Sequence, residues 1–376
     1  MDAQHRHGRR ENRSGPPQRW FVALIAAAII LVILVQARFF LIPLAIAILL
    51  FSLTSAAIDL VARFRFGSVA IPNWLASIVA VLMISAILLA LFGIVSAQIN
   101  TVLGTASTYT ERGQEAFAAL FAWLGEDVAQ AVLAAFQDIN LGAYLRAAAG
   151  SAGNLLMATV LVILYVGFLF AERPWFSTKL EKLFPDRRRA DEVSRIFSSI
   201  GKSVHHYILV KTAVSLATAI VVYVLLLLIG LDFAEALALM TFVLNFIPNI
   251  GSMIATLLPT LVALVQFGDW WSTLLVFLAV GFFQFAIGNV IDPMLMGRTL
   301  HLSSFAIILS LTFWGAIWGV VGLFLAVPIM VMAMIVCSHI PSLRPVAILL
   351  SREGVPIARP GVPAPDPTGN EPARKA

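Results

Sequence analysis

Between Asn245 and Leu300 an otherwise apolar stretch carries a small set of groups able to do chemistry. Asn245, Asn249 and Ser252 stand in NFIPNIGS, residues Asn245 to Ser252; Gln284 lies in the apolar run that follows. Asn289 and Asp292 stand in GNVIDPMLMGRTL, Gly288 to Leu300. Asn and Gln each offer donors and acceptors, a combination suited to a polar organic solute. Asp292 can bind a cation or proton, or its Asp-Pro pair can mark an interfacial helix stop. Arg298 is placed either to pair with Asp292 or to mark the inner face of a membrane. Pro248 lacks an amide hydrogen, and Gly251 reaches backbone angles closed to other residues, so together they predict a broken helix. In hydrocarbon, free backbone groups persist only where protein buries them or a wet cavity meets them. A break at that depth is therefore a candidate transport site, set against the alternative of a tight turn between two ordinary spans.

Other chemistries have little support. The chain has no HExxH, GxSxG or Walker A pattern, so neither an enzyme nor internal ATP hydrolysis is expected, and transport would draw on an ion gradient, the membrane potential or the solute gradient. An intramembrane hydrolase would need a paired nucleophile and base, which the sequence does not supply. The single cysteine, Cys337, excludes an intramolecular disulfide, and no metal site or cofactor is expected. His5 and His7 lie in a basic, polar tail and read as solvated. The net charge of +5 resides mainly in tails and loops, so it does not imply nucleic acid as a partner.

The elements that must position these groups are membrane spans. The chain is 60% hydrophobic and 12% charged, with several apolar runs long enough for the roughly 20 residues a crossing requires. The expected fold is all-α, a polytopic integral membrane protein. Residues 1–19 read as a disordered cytoplasmic tail rather than a signal peptide, because the apolar run continues past Arg38. Residues 20–95 hold three spans, Trp20 to Gln36, Phe39 to Ala57 and Pro72 to Val95. Residues 96–150 have two arginines against five carboxylates, a net −3, and read as extracytoplasmic amphipathic helices. A fourth span occupies 151–171. The loop 172–203 has eight cations against five anions, a net +3, and marks the cytoplasmic side, with a helix start expected in PDRRRADEV, Pro185 to Val193. Val204 to Ile229 is a fifth span, and Lys211 near its start is expected to snorkel to the interface.

Residues 204–337 form the expected transport core. Phe233 to Phe246 and Gly251 to Phe267 would be helices of about 20 and 25 Å, short of a hydrocarbon core of about 30 Å, so they suit a hairpin turning at Ile247 to Gly251. Trp271 to Gly288 is a full span, and Asn289 to His301 a cytoplasmic connection. Ser303 to Cys337 is too long for one crossing. Gly315, Gly319 and Gly322 supply a break near Trp318 to Gly322, hence a second hairpin from the opposite face; Gly315 and Gly319 also fit a small-residue packing motif. Residues 338–376 read as a disordered cytoplasmic tail.

NFIPNIGS, then Pro259, then GNVIDPMLMGRTLHLSSFAIILSL, then FWGAIWGVVGLFLAVPIMV resemble the autoinducer-2 exporter family, the PerM-like permeases. Three separated motifs in order make the resemblance specific, and it covers most of the chain. It implies about eight membrane segments, a homo-oligomer and transport of a small solute. Autoinducer-2 export and sodium–proton exchange are both associated with such proteins. Asn249 replaces an aromatic residue common among relatives, and Ser303-Ser304 replaces a common His-Pro pair.

The expectation is therefore a permease or exporter in the cell inner membrane, with both termini cytoplasmic. Its substrate is a small molecule or ion, and lipid and other copies of the chain are its neighbours. A sodium–proton antiporter is the alternative, and a membrane scaffold the alternative of another class. Costly polar breaks in lipid argue against the scaffold.

Overall fold

A computed structural model describes residues 16–63, 73–121, 150, 152–184, 186–296, 302–352 and 354. Among these residues the regular structure is helical, apart from one isolated bridge between Leu302 and Ser351. The helices are α1 (Pro16–Gln36), α2 (Arg38–Arg63), α3 (Asn73–Phe121), α4 (Ala152–Glu172), α5 (Phe176–Leu183), α6 (Arg187–Ile229), α7 (Ala234–Leu244), α8 (Ile250–Phe267), α9 (Trp270–Ala286), α10 (Asp292–Met296), α11 (Ser304–His339) and α12 (Arg344–Leu350). Seven of them are long and apolar enough to cross a bilayer. Large apolar side chains cover much of the outside: Leu228 and Trp271 are each 82% exposed. Water would not tolerate such a surface, whereas lipid does. The chain is an all-α, multi-pass membrane protein.

Charge patterning does not locate the helix ends. The span expected to stop at Val95 continues unbroken as α3 to Phe121, 49 residues or about 74 Å. Residues 122–149, the rest of the expected amphipathic region, lie outside the described residues. The helix expected at Val204 begins at Arg187, so most of the loop expected over 172–203 is helical. Its start does fall inside Pro185 to Val193: the Asp186 carboxylate accepts from the Arg188 amide at 3.0 Å and caps the helix. Gly230, in the left-handed conformation, ends it. The tail expected to be disordered from 338 begins instead with ordered structure. α12 packs on α11, and the Ser303 amide donates to the Leu350 carbonyl at 2.9 Å.

α2, α3 and α4 enclose one core, in which Ala47, Ala80 and Val166 are buried. α6 joins α2 to the second half of the molecule: Val204 and Tyr207 pack with Leu49 on one side and with Leu325, Val331 and Met334 of α11 on the other. α7 and α8 form the first helical hairpin. α11 is a second one, because Gly319 adopts φ 63° and ψ −140° and reverses the chain. The reversal brings Ser310 Oγ to 2.7 Å from the Ala326 carbonyl, sixteen residues on. The tip of the first hairpin packs against the legs of the second. Phe246 and Phe324 rings lie 4.5 Å apart, and Leu244 and Ile247 pack against Leu311 and Ala326.

Candidate functional site

The break between α7 and α8 is built differently from its sequence expectation. Gly251 is helical. The unusual backbone belongs to Asn249, at φ 62° and ψ −54°, and the Ile250 amide reaches back to the Pro248 carbonyl at 2.7 Å. This is a γ-turn of the rare, strained hand. Gly251 matters for space: a Cβ there would sit 1.7 Å from the Leu244 carbonyl oxygen, so only glycine lets α8 leave so close to the end of α7. Gly322 has the corresponding role in the second hairpin, where a Cβ would lie 1.9 Å from the Trp314 carbonyl oxygen. Gly315 faces Leu323 on the returning leg. These three glycines thus close their own hairpins; of the small-residue pair in α11, Gly315 packs within its own element and a Cβ at Gly319 would meet nothing within 4 Å.

Beneath the first hairpin lies a cavity of about 630 Å³. It gathers Asn245, Pro248, Asn249, Ser252, Gln284, Asn289 and Asp292, from α7, the γ-turn, α8, α9 and the turn beyond α9. Apolar walls come from Ile247, Leu257, Phe277 and Phe285. Gly251 stands just behind this lining, and Gly315, Gly319 and Gly322 lie away from it, in the hairpin that backs it. Arg298 lies outside the described residues.

Asp292 does not end a helix. α9 widens into one π-helical turn over Ile287–Ile291 and continues as α10. The widened turn precedes Pro293, which has no amide to return to the Asn289 carbonyl. It places Asp292 against α6, where Lys211 meets it: Nζ lies 2.6 Å from Asp292 Oδ2, with the two side chains 5% and 19% exposed. Lys211 therefore does not snorkel. A cation and an anion 81 residues apart share one buried site, a pairing that spacing along the chain does not signal.

The remaining polar groups are unevenly satisfied. Asn245 Nδ2 donates to Ser215 Oγ at 3.2 Å, and Ser252 Oγ to the Asn249 carbonyl at 3.0 Å. Asn289 Nδ2 donates to the Phe285 carbonyl. By contrast Gln284 Nε2 and Asp292 Oδ1 are buried and have no hydrogen-bond partner among the described residues. One is a donor and the other an acceptor, and both belong to residues lining the cavity. Buried polar atoms left open in this way are rare, and a polar ligand is a natural complement.

A second polar cluster holds the Gly230 end of the hairpin. Gln266, at the end of α8, donates to the Gly230 carbonyl at 2.8 Å and accepts from the Asp232 amide at 2.7 Å. From α3, Gln98 donates to Glu235 at 2.8 Å and the Tyr109 hydroxyl to Asp232 at 2.7 Å. The Tyr109 ring also lies 4.9 Å from that of Phe233, which takes the left-handed conformation. Partial burial, and then the bond to Asp232, raise the Tyr109 phenol above its ordinary range.

The family model described as "AI-2E family transporter" matches residues 21–342. The "AI-2 transport protein TqsA" of Escherichia coli is 29% identical over 332 residues, covering 87% of this chain and 95% of that protein. A "Putative transport protein" of Borreliella burgdorferi is 33% identical over 221 residues, 57% of this chain and 60% of its own length. The "Putative permease PerM" of Escherichia coli is 27% identical over 173 residues, 45% and 48% of the two chains.

Proposed function

Starting from the chain's membership of the AI-2E transporter family, which makes it a membrane transporter, we propose that it carries a small, polar, uncharged solute through the cavity beneath the first hairpin. The observation that carries this reading is a pair of buried, unpartnered groups, Gln284 Nε2 and Asp292 Oδ1, on two residues that line one cavity of membrane-spanning helices. A solute bearing a hydroxyl or amide brings both an acceptor for the Gln284 amide and a donor for the Asp292 carboxylate. The relative TqsA is named for AI-2 transport, which makes autoinducer-2 the first solute to test. Sodium–proton exchange is the competing assignment. It requires Asp292 to exchange partners during the cycle, and its charge is already balanced by Lys211.

We further place the protein in the inner membrane, with both termini and the basic segment 172–203 cytoplasmic and residues 96–150 outside. The support is the change in net charge from −3 to +3 between these segments. The family resemblance favours a homo-oligomer, and the exposed apolar surface is available to lipid and to further copies.

The test is flux from purified protein in proteoliposomes against a panel of autoinducer-2, sodium and protons. Autoinducer-2 should equilibrate down its gradient, and Gln284→Leu should slow it about tenfold or more, the loss expected when a buried hydrogen-bond partner goes. Movement of sodium against protons with no autoinducer-2 flux would replace this assignment by the exchanger.

A further inference from the structure

The Lys211–Asp292 pair spends only part of the carboxylate. Nζ engages Oδ2 at 2.6 Å and leaves Oδ1 buried and unpartnered beside the cavity that Gln284 also lines. Lys211 comes from the middle of α6, where 4% of the residue is exposed, so its charge is held inside the protein and cannot be supplied by solvent. Among the described residues the surroundings offer no second cation. α8, α9 and the π-helical turn carry no charged side chain. α6, packed against Asp292, presents Lys211 and the buried Tyr207 phenol, with Lys202, His205 and His206 further toward its start. Burying a carboxylate is costly unless an opposite charge pairs with it.

We propose that Lys211 is a positioning residue: a built-in counter-ion that keeps Asp292 ionised and, by holding Oδ2, leaves Oδ1 as the acceptor for the solute, with the Gln284 amide as the donor. The site then has no net charge and its proton inventory does not change as it fills and empties. It recognises a neutral solute by one donor–acceptor contact, and translocation is indifferent to membrane potential. The transport part of this inference rests on the cavity being the solute path; the role of Lys211 toward Asp292 does not.

Two readouts separate these parts. The first is infrared spectroscopy of the purified full-length protein between about pH 6 and about pH 8, where ordinary carboxylates stay ionised. Wild type should show no carboxyl group titrating that Asp292→Asn removes. Lys211→Met, which keeps the side-chain length, should show a protonated carboxyl band that fades as pH rises. That band should be absent from Lys211→Met combined with Asp292→Asn, a variant that restores neutrality if the single change fails to fold. The second readout is autoinducer-2 flux in proteoliposomes at clamped potentials. Wild type should be insensitive to potential, Lys211→Met about tenfold or more slower and dependent on pH, and the double variant independent of pH again. A Lys211→Met protein without the new band, a wild-type Asp292 band that titrates, or wild-type flux that follows the clamped potential overturns the proposal. If the bands behave as stated and no variant moves autoinducer-2, the assigned solute falls while the role of Lys211 stands.

Discussion

At the scale of single residues, glycines and asparagine divide the work of breaking a helix in a way composition does not disclose. Gly251 is a matter of space, so even one methyl group is too much: its Cβ would meet a backbone oxygen, which cannot swing aside. Gly251→Ala should lower stability by about 1–3 kcal/mol, the usual effect of overpacking, with a matching fall in the melting temperature of the detergent-purified protein. Gly167→Ala, with nothing within 4 Å of the added carbon, serves as the silent control. Asn249 is a matter of dihedral angles. Asn249→Gly should preserve or slightly raise stability by relieving strain, while Asn249→Val should destabilise, because branching at Cβ disfavours positive φ. NFIPNIGS announced that the helix would break, since Pro, Asn and Gly together in an apolar run favour a turn over a continuous helix. It did not announce which residue would carry the turn. Lys211 was harder still: its counter-ion lies 81 residues away, and a lysine one or two turns into a span is equally consistent with snorkelling.

At the scale of elements, the first hairpin is held at both ends by different means. Its tip packs through Leu244, Phe246 and Ile247 against the second hairpin. Its open end is polar, closed by Gln266 and tied to α3 by Gln98 and Tyr109. Tyr109→Phe removes one such tie, worth about 1 kcal/mol, and should speed amide hydrogen exchange across residues 230–235 without disturbing the tip. The tie also has a pH signature. The phenol is raised in the folded protein, so its contribution is complete below the ordinary phenol value of about 10 and declines as pH climbs through the raised native value. Tyr109→Phe should abolish that alkaline limb. Hairpins were legible from segment length: 11 residues of α7 cannot cross a bilayer, and 36 residues of α11 exceed one crossing. Helix ends were not. α3 and α6 run on through polar sequence, because a helix leaving the membrane keeps its backbone bonds and changes only its side chains.

At the scale of the whole molecule, the tip of the first hairpin packs against the legs of the second within a frame of longer helices, and the polar cavity sits beside that contact. The proposed orientation predicts that cysteines replacing Arg188 and Arg352 are shielded from an impermeant thiol reagent in intact cells, while one replacing Thr108 reacts, all in a Cys337→Ser background. Labelling at position 188 from outside would invert the assignment. The central claim, that solute crosses through the cavity beneath the first hairpin, is tested most directly by plugging it. Ser252 lines the cavity and its hydroxyl bonds locally, to the Asn249 carbonyl, so Ser252→Cys in the Cys337→Ser background should fold and transport. Attachment of a bulky thiol reagent at position 252 should then abolish autoinducer-2 flux in proteoliposomes, and saturating solute should slow the attachment. Full labelling of position 252 with undiminished flux would contradict the account.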